Sequence, residues 1–140
     1  MRWMGLVARA AYLSMLLVSP ATAAPTTMDL KLDAISAASC ISTSLTLAST
    51  GRLNRRTAER LSAEFQPLSI FFENEIQAEA KSRNVTRETV YWEKVKPGQA
   101  ISNQKLKTIF DQPDKQAQKS GLDEYLATCR ALAGTVPVTK

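Results

Sequence analysis

The two cysteines, Cys40 and Cys129, are the residues whose possible chemistry is most narrowly defined. Their distance in sequence excludes a Cys-x-x-Cys redox motif, and two thiols are too few for a thiolate-rich zinc site. A lone cysteine pair in a small exported domain most often forms an intramolecular disulfide. The small side chains of Ser36, Ala37 and Ser44 beside Cys40 permit the close backbone approach that such a bond needs. We therefore expect a structural Cys40–Cys129 disulfide, with an intermolecular bond or a redox-active thiol as the alternatives.

Four arginines gather around the start of a predicted helix, and guanidinium groups match phosphate and carboxylate groups well. This group, called the arginine patch below, is a candidate surface for an anionic partner; the alternative is a solvated helix end. No aromatic residues interleave with the arginines, which counts against single-stranded nucleic acid, and we expect no nucleic-acid partner. The members of the arginine patch are Arg52, Arg55, Arg56 and Arg60.

The composition argues against catalysis. The chain has no histidine, which removes the commonest general base, the commonest metal ligand and the Ser-His and Cys-His nucleophile pairs. Glu75 and Glu79 share one helical face beside Glu73, but two carboxylates without further ligands make a poor cation site. No phosphate-binding glycine loop and no calcium loop occurs. We expect no cofactor, no metal and no enzymatic activity; a carboxylate-based enzyme is the least favoured alternative.

An apolar group in the middle of the chain has two interpretations. The simpler one makes it the core of the domain; the other makes it a surface for apolar ligands or unfolded client proteins. Phe65-Gln66-Pro67 followed by Phe72-Glu73 is similar to a stretch in the periplasmic acid-stress chaperones of the HdeA family, which are small helical proteins with one disulfide. That family's cysteines lie much closer together in sequence. The members of this Phe-rich group are Phe65, Leu68, Ile70, Phe71 and Phe72.

Residues 1–24 have the layout of a signal peptide. Arg2 and Arg9 accompany a short apolar run at 10–18, and Ala21-Thr22-Ala23 offers the small-x-small pattern of a cleavage site. The run is about half of the roughly 20 residues that span a bilayer, so we expect cleavage rather than a membrane anchor. Cleavage after Ala23 or Ala24 would export the remaining chain to the periplasm or the cell exterior. That chain carries 16 basic and 13 acidic residues, a formal net charge of +3.

Apolar residues spaced by three and four predict helices along most of the remaining chain. The first helix is expected from about residue 30 to 48, with Thr26 or Thr27 as its cap and Gly51 as its stop. A second pattern covers about 57–82 and is either kinked or divided into two helices at Pro67.

The second half of the chain gives mixed signals. Residues 86–96 combine helix and strand preferences, and we predict a helix that ends before Pro97-Gly98. A short helix at 102–110 and a polar loop at 111–119 follow. Ser120 is expected to cap the last helix and Gly134 to end it.

These patterns predict an all-α protein, a small irregular bundle of about four or five helices closed by one disulfide after removal of the signal peptide. Residues 25–134 form a single domain, and 135–140 form a mobile tail. The expected function is that of an exported, non-catalytic interaction or accessory module with a protein or envelope partner. The alternative is a small carrier or chaperone that binds apolar ligands or clients through the Phe-rich group.

Overall fold

The computed structural model describes residues 31–137, which form five α-helices and contain no strand. These helices and the Cys40–Cys129 disulfide confirm the predicted fold class. The expected signal peptide and residues 138–140 of the tail lie outside the described residues. None of the five helices combines the length and hydropathy needed to cross a membrane. The helices are α1 Ala34–Ser49, α2 Arg55–Glu64, α3 Gln66–Arg83, α4 Arg87–Phe110 and α5 Lys115–Gly134.

Helix α1 occupies the centre of the bundle and contacts each of the other four helices. Its small side chains allow this, since Ala37 and Ser39 are fully buried within the bundle. The helix starts later than predicted: Asp33 caps it by accepting the Ser36 N–H at 2.7 Å, which replaces the expected cap at Thr26 or Thr27. The stop at Gly51 is confirmed, because this residue follows the helix with a left-handed φ of 72°.

Helices α2 and α3 meet at Phe65, which confirms the divided form of the second pattern. Pro67 lies in the first turn of α3, where a missing N–H costs no helical hydrogen bond. The proline therefore begins a new helix instead of kinking a long one. Asn54 caps α2 by accepting the Thr57 N–H at 2.8 Å.

Helix α4 runs without interruption through Pro97 and Gly98, so the predicted helix end before Pro97 is wrong. Pro97 deprives the Glu93 carbonyl of its helical donor, but packing against α1 holds the helix together at this point. A Cβ on Gly98 would lie only 2.7 Å from the Ala38 Cβ and 2.9 Å from the Ser39 backbone nitrogen. Gly98 thus lets the α4 backbone approach the α1 backbone more closely than any residue with a Cβ would allow.

Helix α5 begins five residues before the predicted Ser120 cap. The Asp114 carboxylate accepts the Gln116 N–H at 3.1 Å and starts the helix, so Ser120 lies within its second turn. The predicted polar loop therefore shortens to residues 111–114. Gly134 is the last helical residue, as expected.

Candidate functional site

The disulfide joins the middle of α1 to the C-terminal half of α5 in the interior of the bundle. The Cα atoms of Cys40 and Cys129 are 5.7 Å apart, and both residues are fully buried. An attacking thiolate would have no access to either sulfur. This burial favours a structural bond over a redox-active one.

Four buried hydroxyl groups from α1, α4 and α5 form a network beside the disulfide. The Tyr125 hydroxyl lies 2.9 Å from the Ser39 hydroxyl and 2.9 Å from the Thr43 hydroxyl. Thr43 Oγ1 is also 2.7 Å from Ser102 Oγ and 2.8 Å from the Ser39 carbonyl oxygen. Among residues 31–137, no buried side-chain nitrogen or oxygen lacks a hydrogen-bond partner. The network therefore links three helices at a site where unpaired hydroxyls would be costly.

Sequence reasoning did not find this network. The serines and threonines of α1 signalled only a low intrinsic helix propensity, since nothing in the local pattern shows which polar side chains face the core. The spacing of four between Ser39 and Thr43 places them on one helical face, but Tyr125 lies 82 residues beyond Thr43. Only the assembled fold shows that these hydroxyls meet.

Two of the three carboxylates on α3, those of Glu73 and Glu79, pair with cations of α3 and α4, whereas Glu75 is exposed and forms no ion pair with a residue of 31–137. Arg87 donates to both Glu73 oxygens, at 2.6 and 2.5 Å, and this interaction lowers the pKa of Glu73. Hydrogen bonds from Arg83 and Lys94 lower the pKa of Glu79 in the same way. Carboxylates held ionised by neighbouring cations are poorly suited to general acid catalysis near neutral pH.

The described residues offer no cluster for a metal ion. Within 31–137, no group of three histidine, cysteine, aspartate or glutamate side chains comes together at metal-binding distance. Glu73 and Glu79 pair with arginines and a lysine instead. Their arrangement is that of a charged surface between α3 and α4.

Most of the Phe-rich group belongs to the core. Phe65, Leu68 and Phe72 are at most 7 % exposed, and Phe71 is half-buried against the same core. Only Ile70 is substantially exposed, at 50 %. The group therefore does not form a continuous apolar surface, because its spacing of three and four turns most of its members toward α1.

The arginine patch is exposed in its entirety, around the start of α2. Arg52 lies before the helix, with its guanidinium carbon 3.7 Å from the centre of the Phe110 ring. Arg55 pairs with Glu59 at 3.0 Å, while Arg56 and Arg60 form no ion pair with any residue of 31–137. The patch thus presents several guanidinium groups to solvent with a single compensating carboxylate.

A groove of about 540 Å³ lies between the C-terminal half of α4 and the N-terminal half of α5. Ile109 and Tyr125 form its apolar floor, and both are nearly inaccessible to solvent. Lys105 stands on the α4 wall and Glu124 on the α5 wall. Sequence reasoning missed this groove, since the polar stretch at its start was expected to be a loop. The other residues that line it are Gln104, Thr108, Gln112, Ala117 and Gly121.

Comparisons of this chain with protein-family models, with curated proteins and with solved structures found no match. None of these comparisons supports the similarity of residues 65–73 to the HdeA family. The fold presents two candidate binding surfaces, the arginine patch and the α4–α5 groove.

Proposed function

We propose that the protein is an exported, non-catalytic interaction module that docks through the arginine patch onto a phosphate-bearing surface of the cell envelope. The observation that carries this proposal is the exposure of four guanidinium groups around one helix start, with Glu59 as the only carboxylate paired to them among the described residues. Arginine pairs with phosphate through two parallel hydrogen bonds and remains charged at any physiological pH.

The position of the patch is electrostatically unfavourable for the free protein. Arg55 and Arg56 occupy the first turn of α2, which contains no acidic residue. Cations are unfavourable at this end of a helix because the helix dipole is positive there. Features that break a local stability rule are often functional, and an anionic partner would relieve this repulsion.

Two features support export. Residues 1–24 have the layout of a signal peptide, and the buried disulfide suits an oxidising compartment. Purified from the envelope or medium of cells that express the whole chain, the protein should have the mass of a chain that lacks residues 1–23 or 1–24. Recovery of the intact chain from the cytoplasm would contradict export.

Vesicle binding tests the docking surface. The mature protein should co-sediment with vesicles of phosphatidylglycerol and phosphatidylcholine, and not with vesicles of phosphatidylcholine alone. Replacing all four patch arginines by glutamine should weaken binding by at least about 100-fold, since each basic residue near an anionic surface contributes roughly 1 kcal/mol. The matched control replaces four exposed lysines outside the patch by glutamine. These are Lys81, Lys96, Lys115 and Lys119.

The control separates a local surface from the effect of net charge, because both variants lose four positive charges. The control should bind within about threefold of the original protein, since its lysines lie outside the patch. Equal losses in the two variants, or no binding at low salt, would reject the patch as the docking surface.

A further inference from the structure

We infer that the groove between α4 and α5 is a binding site for a short apolar peptide of two or three residues with free termini. This site is separate from the arginine patch and does not depend on the docking function proposed above. The volume of about 540 Å³ falls within the range of about 300–1,000 Å³ typical of small-ligand pockets.

The groove exists because α5 presents small residues to α4. Ala117 and Gly121 are one turn apart on the groove wall, and a Cβ at Gly121 would lie 3.3 Å from Ile109 Cγ1. The two helices touch at this point, and no large side chain fills the space beside it. The floor there consists of the Ile109 side chain and the Tyr125 ring, which suits an aliphatic side chain.

The floor is held rigidly in place. The Tyr125 hydroxyl is engaged by Ser39 and Thr43, so its ring faces the groove while its polar atom is satisfied in the core. One turn further along α5, Cys129 is bonded to Cys40. A preformed floor lowers the entropic cost of ordering a site when a ligand binds.

The charges on the walls select among apolar ligands. Lys105 of α4 and Glu124 of α5 both line the groove, and neither forms an ion pair with a residue of 31–137. An anionic amphiphile would be attracted by the lysine and repelled by the glutamate, and a cationic one would meet the reverse. A zwitterion satisfies both groups, with its carboxylate toward Lys105 and its ammonium toward Glu124.

Side-chain amides complete the match to a peptide. Gln104 on α4 and Gln112 in the loop between α4 and α5 also line the groove, and each side-chain amide carries both a donor and an acceptor for main-chain N–H and C=O groups. A free amino acid would leave much of the volume unfilled, whereas a dipeptide or tripeptide reaches both the walls and the floor.

The experiment is an NMR titration of the ¹⁵N-labelled mature protein with the dipeptide Leu-Leu. Chemical-shift changes should concentrate on the lining residues of α4 and α5. Lys105→Gln and Glu124→Gln should each weaken binding about tenfold, the value of one charged contact. The matched controls Lys115→Gln and Glu75→Gln remove the same charges at exposed positions outside the groove and should change affinity less than about twofold.

The capped peptide N-acetyl-Leu-Leu-amide tests the zwitterion directly, because it keeps both side chains and lacks both charges. It should bind at least about tenfold more weakly than Leu-Leu. Equal affinity for the two peptides, shifts away from the groove, or no shifts at about 10 mM Leu-Leu would each overturn the inference.

Discussion

Helix α4 meets two neighbours through glycines, and the two contacts differ in what lies around them. At Gly98, the α1 backbone is so close that an added Cβ would fall 2.9 Å from the Ser39 nitrogen. At Gly121 on α5, the nearest atom to an added Cβ is the Ile109 side chain at 3.3 Å, with the α4–α5 groove beside it. The first glycine brings two backbones together, and the second leaves space open.

This difference divides the molecule into a sealed side and an open side. The sealed side contains the α1–α4 contact, the disulfide and the buried hydroxyl network, all without access to solvent. The open side contains the groove, whose walls carry charges without ion-pair partners among the described residues. Because the α1 contacts and the disulfide stabilise the centre of the bundle, the α4–α5 contact can carry a binding site without loss of the fold.

Removal of the disulfide should have the largest effect on the sealed side. The Cys40→Ala/Cys129→Ala variant should lose about 4–5 kcal/mol of unfolding free energy, because the bond closes a loop of 89 residues in the unfolded chain. Urea unfolding monitored by circular dichroism measures this loss. The original protein, unfolded with and without reductant, provides the control. A loss below about 1 kcal/mol would show that the helix contacts alone close the bundle.

Gly98→Ala should break the sealed α1–α4 contact. The new methyl group meets backbone atoms of α1 that can move only with the whole helix, so we expect a loss of about 1–3 kcal/mol. Gly134→Ala is the matched control, because a Cβ there meets nothing within 4 Å. The control should be neutral or slightly stabilising. If both variants are equally stable, the close approach of α1 and α4 is not required.

The Pro97-Gly98 pair also shows where sequence reasoning about the fold reached its limit. Proline followed by glycine is a local signal for a helix break, and it predicts a helix that ends before Pro97. The structure keeps the helix because Gly98 packs against Ala38 on a distant segment, and that contact outweighs local propensity. Pro67 gave a correct boundary, since there the local signal and the packing of α2 and α3 agree.

Tyr125→Phe should weaken the sealed side while leaving the groove intact. The change removes one hydroxyl and leaves those of Ser39 and Thr43 short of a partner, at a cost of about 1–2 kcal/mol. The ring that forms the groove floor remains, so Leu-Leu affinity should stay within about twofold. Chemical denaturation and the NMR titration measure the two effects. If Tyr125→Phe greatly weakens Leu-Leu binding but leaves the free energy of unfolding unchanged, the Tyr125 hydroxyl serves the groove and not the buried network.

The sites differed in how far sequence could predict them. The disulfide could be predicted from a lone cysteine pair behind an expected signal peptide, and the arginine patch from the close spacing of four arginines in the sequence. The groove depends on the contact of Gly121 with Ile109 across the loop that joins α4 to α5. The polar composition of residues 111–119 predicts a longer loop there, because it does not show that α5 begins at Lys115. For Phe65, Leu68 and Phe72, the prediction that the Phe-rich group is part of the core is confirmed. Their helical spacing already indicates one buried face.

Gly121→Ala should have a small effect of opposite sign to Gly98→Ala. Alanine in a helix interior gains up to about 1 kcal/mol over glycine, and only the Ile109 side chain must shift by a few tenths of an ångström. Since the groove lies beside Ile109, this shift is possible, and the variant should unfold at a slightly higher temperature. A loss as large as that of Gly98→Ala would show that the α4–α5 contact is as tightly packed as the α1–α4 contact.

Acid is expected to have the smallest effect on stability. It acts on the third contact of α4, the ion-paired surface that α4 forms with α3. Hydrogen bonds from Arg83 lower the pKa of Glu79 and of Glu93, and those from Arg87 lower the pKa of Glu73, in each case below 4.5. Stability from these pairs is therefore present above pH 4.5 and is lost as the pH falls through the lowered folded-state values. The loss is small because the paired groups are exposed and screened by salt.

Arg83→Gln isolates this contribution, because Arg83 donates to both Glu79 and Glu93. The variant should show a smaller decrease in Tm between pH 7 and about pH 3 than the original protein, and the difference should shrink in high salt. Arg60→Gln is the control, since Arg60 forms no ion pair with a described residue and lies on α2. If Tm depends on pH as weakly in Arg60→Gln as in Arg83→Gln, the acid sensitivity results from the net charge of the protein. The α3–α4 ion pairs would then contribute nothing specific, and the packing of α4 against α1 and α5 would hold α4 in place.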